Sequence, residues 1–221
     1  MRDTFERDLA HLTREAIRMI SLVREMIGSA TQALVEQDLV LAQQVVRKDD
    51  EVDRLELEIE QGVTTLIARQ APMASDMRFL VSLLKILTDL ERAADYAAHV
   101  AQDAIVLAGE PPLRSHASFA ELGRRLQAML DLCAKGLAEQ DLQAAREVIR
   151  QDDEIDGAYE SITRELLTYM LEDPRTISKA LTLMHVTRFY ERFGDHLENV
   201  AERIMYWLTG KMVKHPDEVG S

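Results

Sequence analysis

The segment VEQDLVLAQQVVRKDDEVD, Val35 to Asp53, returns as AEQDLQAAREVIRQDDEID, Ala138 to Asp156, with eleven of nineteen positions identical at an offset of 103. A second pair follows. LERAADYAAHVA, Leu90 to Ala101, aligns with YERFGDHLENVA, Tyr190 to Ala201, at an offset of 100. The drift of three residues requires a net deletion in the second copy between Asp156 and Glu191. It fits the proline loop, where RQAPMASDM of copy one faces EDPRTIS of copy two. Duplication of one unit explains both alignments, and a long internal repeat constrains the fold before any element is assigned.

Outward from this repeat, each copy reads as three helices. The first spans about Thr4 to Glu36, and about Ser118 to Glu139 in copy two. Asp38 and Asp141 are natural N-caps of the second helix, because their carboxylates can accept its first free backbone donors. That helix runs about Leu39 to Arg69, and Leu142 to Leu171. Pro72 and Pro174 stop it and open the third, about Ala74 to Leu107 and Thr176 to Thr209. Short connections between long helices predict antiparallel neighbours. The expectation is an all-α fold of two tandem, pseudo-symmetric antiparallel three-helix bundles, six long helices in all. The first bundle covers residues 1–110 and the second 111–212, joined through GEPPLRSHAS, with a frayed tail at 213–221.

Composition agrees. Only 5% of residues are aromatic, five are proline, and strong helix formers abound. The formal charge of −13 argues against nucleic acid as a partner, since duplex binding depends on Lys and Arg neutralising phosphates. The single cysteine, Cys133, cannot form an intrachain disulfide, which points to a reducing compartment. MRDTFERDLA lacks the basic start and apolar run of a signal peptide. A cytoplasmic protein, docking at most peripherally on a membrane complex, is expected.

Carboxylates fall where apolar residues are expected. In the second helix Ala42, Val45, Val46, Val52, Ile59, Val63 and Leu66 recur at helical spacing, and Asp49 falls in that stripe with Asp53 one turn on. Asp152 is flanked likewise by Val148, Ile149 and Ile155, with Asp156 following. The third helix of copy one is apolar nearly all round (Phe79, Leu80, Leu83, Leu84, Ile86, Leu87, Leu90), so it is expected to sit centrally. It carries Glu91 and Asp95; copy two carries Glu191 and Asp195. Residues four apart on a helix have Cβ atoms roughly 5–6 Å apart. Paired acids on two facing helices can therefore converge on a cation, and an isolated buried carboxylate is costly without a partner. Oxygen ligands suit Mg, Mn, Ca or oxidised Fe and do not exclude Zn. His99 and Asn199, one turn beyond Asp95 and Asp195, are candidate auxiliary ligands. The plainer reading is that the acids pair with Arg47, Arg54, Arg92, Arg150 and Arg192 on a solvated surface.

Other signals are weak. No Glu-x-x-His occurs, which ferritin-like di-iron enzymes need on two helices. Asp8 to His11 is the nearest match and reads as a surface pair. No Gly-rich phosphate cradle is present. Cys133, aligned with Ala30, reads as core, and so do methionines such as Met19, Met26 and Met205.

These motifs carry a resemblance. APMASDMRFLVSLLKILTDLERAADYAAHVA is similar to the first repeat of the PhoU family, accessory proteins of the phosphate-specific transport system. LLTYMLEDPRTISKALTLMHVTRFYERFGDHLENVAERIMYWLTG resembles its second repeat more closely. The likeness spans about Arg2 to Gly210. It implies a negative regulator of the phosphate-starvation response, not an enzyme. It further implies binding to a phosphate-sensing histidine kinase and to the ATPase subunit of the phosphate ABC transporter, with assembly as a homodimer. By the same resemblance, metal ions in multinuclear clusters are expected on Asp49 and Asp53 with Glu91 and Asp95, and on Asp152 and Asp156 with Glu191 and Asp195. Metal identity stays open among Fe, Zn, Mn, Mg and Ca, as does the question of whether phosphate binds. The family pattern places Gly before the last Asp, as in Phe193-Gly194-Asp195, whereas copy one has Ala93-Ala94-Asp95. Tyr190 replaces a usual leucine. A carboxylate-bridged metalloenzyme and a metal-free structural adaptor are the alternative readings.

Overall fold

The computed structural model describes residues 2–70, 72–109, 111–113 and 117–211, and every regular element among them is helical. In chain order these are α1 Arg2–Glu36, α2 Leu39–Gln70, α3 Ala74–Leu107, α4 Ala117–Glu139, α5 Leu142–Glu172 and α6 Ile177–Thr209. A 3-10 turn at Pro174–Thr176 leads into α6. Every helix end lies within two residues of its expected position. The expected boundary at 110 and the tail 213–221 fall outside the described residues.

The caps follow from local chemistry. Asp38 Oδ1 accepts the Val40 and Leu41 N–H groups at 2.9 and 3.0 Å, and Asp141 Oδ1 accepts those of Gln143 and Ala144 at 2.9 and 3.1 Å. Immediately before each cap, Gln37 and Gln140 take left-handed backbone, with φ of 57° and 56°. The Glu-Gln-Asp-Leu turn is thus duplicated in conformation as well as in sequence. The three-residue deletion appears at the start of the third helix. Ala74 stands 21 residues before Asp95, while Ile177 stands 18 before Asp195, and the 3-10 turn replaces the missing helical turn.

Packing sorts the helices into a centre and two flanks. α1, α3, α4 and α6 pack across the repeats, whereas α2 rests on α1 and α3, and α5 on α4 and α6. The registers are antiparallel. Arg24 meets Asp131 at 2.7 Å, and Gln127 Nε2 donates to Arg24 O at 3.3 Å, along α1 and α4. Along α3 and α6, Phe79 lies against Trp207, Tyr96 against Phe189, and Asp89 Oδ1 is 2.9 Å from His196 Nδ1. A twofold-like relation between halves produces such antiparallel pairing. One continuous apolar core results, containing Met19, Met26, Leu80, Leu83, Cys133, Phe193 and Met205. No helix among the described residues is long and apolar enough to cross a membrane.

The α1–α4 crossing is close. A Cβ on Gly123 would overlap Thr31 Oγ1. That hydroxyl is fixed, for it lies 2.7 Å from Ile27 O and 2.8 Å from Tyr190 Oη, all buried. Tyr190, in place of leucine, therefore brings its own polar partner from the other repeat. Gly123→Ala is expected to lower stability by about 1–2 kcal/mol in urea unfolding, overpacking outweighing the helical preference for alanine. An unchanged midpoint would mean that the two helices have room to separate.

Candidate metal centre

Because α2 and α5 are flanking helices, each packs on two neighbours and leaves its outer face to solvent, and the seams with α3 and α6 carry the acids. In the second repeat Asp152, on α5, sits among Val148, Ile149 and Ile155 and is only 6% exposed. Its Oδ1 is buried and has no hydrogen-bond partner. One candidate ligand oxygen each from Asp152, Asp156 and Asp195 lies within 4.8 Å of the others. The close approach depends on Gly194, since a Cβ there would stand 2.5 Å from Asp152 Oδ1.

Electrostatics mark the same spot. Burial, reinforced by the charges of Glu198, Asp156 and Asp195, holds the Asp152 carboxyl up at about 8. Asp156 and Glu191 are raised too, chiefly by burial and then by Asp195. In the first repeat burial and then Asp95 raise Asp49 to about 6, and burial and then Asp95 raise Glu91 to about 7. Like charges are gathered here without enough positive charge to compensate.

Arginines account for half of the acids. Arg92 reaches Asp95 at 2.9 Å and Glu91 at 3.4 Å; Arg192 reaches Asp195 at 3.0 Å and Glu191 at 3.5 Å. The α2 and α5 acids are different. Among the described residues no salt bridge joins Asp49, Asp53, Asp152 or Asp156 to a basic side chain. Arg150 turns instead to Glu147 and Glu154, and Arg54 donates to Asp50 O at 3.1 Å. A buried carboxyl with an unpartnered oxygen, gathered with two other carboxylates, is an arrangement that a hard cation can satisfy.

The eight acids are not brought together equally. Asp152, Asp156 and Asp195 converge, with Glu191 beside them. Asp49, Asp53, Glu91 and Asp95 influence one another across α2 and α3, but among the described residues they form no group of three with ligand atoms within 4.8 Å. His99 lies over Phe189 with ring centres 5.1 Å apart, in the α3–α6 seam. Two participants lacked a signal in the repeat comparison. Glu198 is half-buried and raised by burial and by Glu202 and Asp195; Glu56 is raised by burial and by Glu60. Glu198 stands three residues after Asp195, a same-face spacing, yet its counterpart in copy one is Ala98. Acids shared by both copies stand out; an acid present in one does not.

A duplicated three-helix unit, with an acidic cluster in its second copy that could hold a metal ion, defines a class of helical-repeat protein. Comparison with known proteins gives the family. The PhoU domain matches twice, over residues 16–104 and 119–204, and the chain belongs to the PhoU family. It is 43% identical over 210 residues to the phosphate-specific transport system accessory protein PhoU homolog of Deinococcus radiodurans, covering 95% of this chain and 99% of that one. The homolog of Aquifex aeolicus is 41% identical, with 95% of each chain covered. Among solved structures, PhoU from Pseudomonas aeruginosa superposes with a TM-score of 0.89 at 36% identity, covering 94% of this chain and 100% of that one.

Proposed function

We propose that this chain is a cytoplasmic accessory regulator of phosphate uptake. It holds metal ions in its acidic grooves and acts as an adaptor between the phosphate ABC transporter ATPase and the sensor histidine kinase. In that role it restrains the phosphate-starvation response when phosphate is plentiful, working at the membrane complex from the side. The observation that carries the reading is the nearly end-to-end match to proteins named as phosphate-specific transport system accessory proteins. The buried unpartnered Asp152 oxygen supports the metal component.

Asp152, Asp156, Asp195 and Glu191 would hold metal in the second repeat, and Asp49, Asp53, Glu91 and Asp95 in the first. A bound cation there supplies positive charge that offsets repulsion across the α5–α6 and α2–α3 grooves. The chain's own contribution is to fix those helix pairs, and so the shape of the surface that partners meet. The tagged chain, bound to resin, is expected to retain both the transporter ATPase and the kinase's cytoplasmic portion. Retention of neither would contradict the adaptor role.

A further inference from the structure

We infer that the two metal grooves are unequal by construction, with Gly194 allowing the second repeat to close around a cation while Ala94 and Ala98 hold the first repeat open, so that the second fills first. The inference rests on the metal-binding reading above and adds an order of occupancy to it.

In the second repeat, the absence of a side chain at Gly194 leaves the space that Asp152 Oδ1 occupies, 2.5 Å from where a Cβ would be. Asp152 is thereby only 6% exposed, its Oδ1 is buried without a partner, and one of its carboxylate oxygens lies within 4.8 Å of ligand oxygens of Asp156 and Asp195. In the first repeat a methyl group stands at the corresponding place, on Ala94, which is itself fully buried. Asp49, the counterpart of Asp152, is only half-buried, and its neighbours do not close into a three-ligand group. The fifth carboxylate, Glu198, has no equivalent in the first repeat, where Ala98 stands at its place. Acid has been relocated instead to Glu56, where copy two has Tyr159, further along the groove beside Glu91 and Asp53. For hard cations, affinity follows the number and convergence of carboxylate oxygens. With five acids in each groove, convergence is what favours the second repeat.

The test is a titration of the full-length, chelator-stripped chain with Mn2+, reading free metal by electron paramagnetic resonance. Wild type is expected to show two classes of site with dissociation constants separated by about tenfold or more, the scale on which supporting residues alter metal affinity. Gly194→Ala should remove the tight class. Helical content by circular dichroism should persist, because alanine is the better helix former. The converse variant, Ala94→Gly with Ala98→Glu, should tighten the weak class toward the strong one. Equal classes in wild type, a tight class surviving Gly194→Ala, or no tightening in the double variant would each overturn the inequality. Absence of bound Mn2+ in every form would instead remove the metal-binding reading itself.

Discussion

Adding Mn2+ to the metal-free protein is expected to raise its melting temperature by about 5–11 °C. A ligand at a hundredfold excess over its dissociation constant stabilises the native state by about 2.7 kcal/mol, and a chain of this size gains about 2–4 °C per kcal/mol. The rise should be larger at pH 8.5 than at pH 5.5. Binding must displace protons from carboxyls held up at about 8 for Asp152, about 7 for Glu91 and about 6 for Asp49. A melting temperature indifferent to Mn2+ at pH 8.5 would mean that the acids need no cation.

The second large effect reverses sign between the metal-free and metal-loaded states. A carboxyl whose native pKa lies above its unfolded value binds its proton more tightly when folded. The contribution of Asp152 is therefore full below about pH 4 and is lost as pH rises through about 8. At pH 8.5 the metal-free native state carries a buried, ionised, unpartnered carboxylate. Asp152→Asn removes that charge at nearly constant shape and should stabilise the metal-free protein by about 2 kcal/mol, since uncompensated buried charge is costly. At about pH 3.5, where Asp152 is protonated in the folded and largely also in the unfolded chain, the two proteins should melt close together. With Mn2+ the order inverts, because the variant has lost a ligand. Urea unfolding at the two pH values, with and without metal, gives all four comparisons; a variant less stable than wild type in the metal-free state at pH 8.5 would contradict the account.

The helices were legible because their punctuation is local. Asp38, Asp141, Pro72 and Pro174 act on residues within a turn of themselves, and the structure keeps each boundary within two residues. Central placement of α3 was legible too, since Phe79 through Leu90 leaves almost no polar face. The convergence of acids was only partly so. Periodicity put Asp49 and Asp152 into the same apolar stripe, but how far each is buried depends on the facing helix. Gly194 admits the Asp152 carboxylate, and no pattern within α5 encodes that. The α3–α6 seam was less visible still. His99 reads as one turn beyond Asp95, yet its ring finds Phe189 from the other repeat. Contacts across a pseudo-twofold relation join residues about a hundred positions apart, beyond any periodicity along one helix.

The most direct test is a crystal of the chain grown with Mn2+, with diffraction recorded at the manganese edge. The account predicts an anomalous peak bounded by Asp156, Asp195 and the buried Asp152 carboxylate. An empty map, with that carboxylate turned outward or met by an arginine, would contradict it.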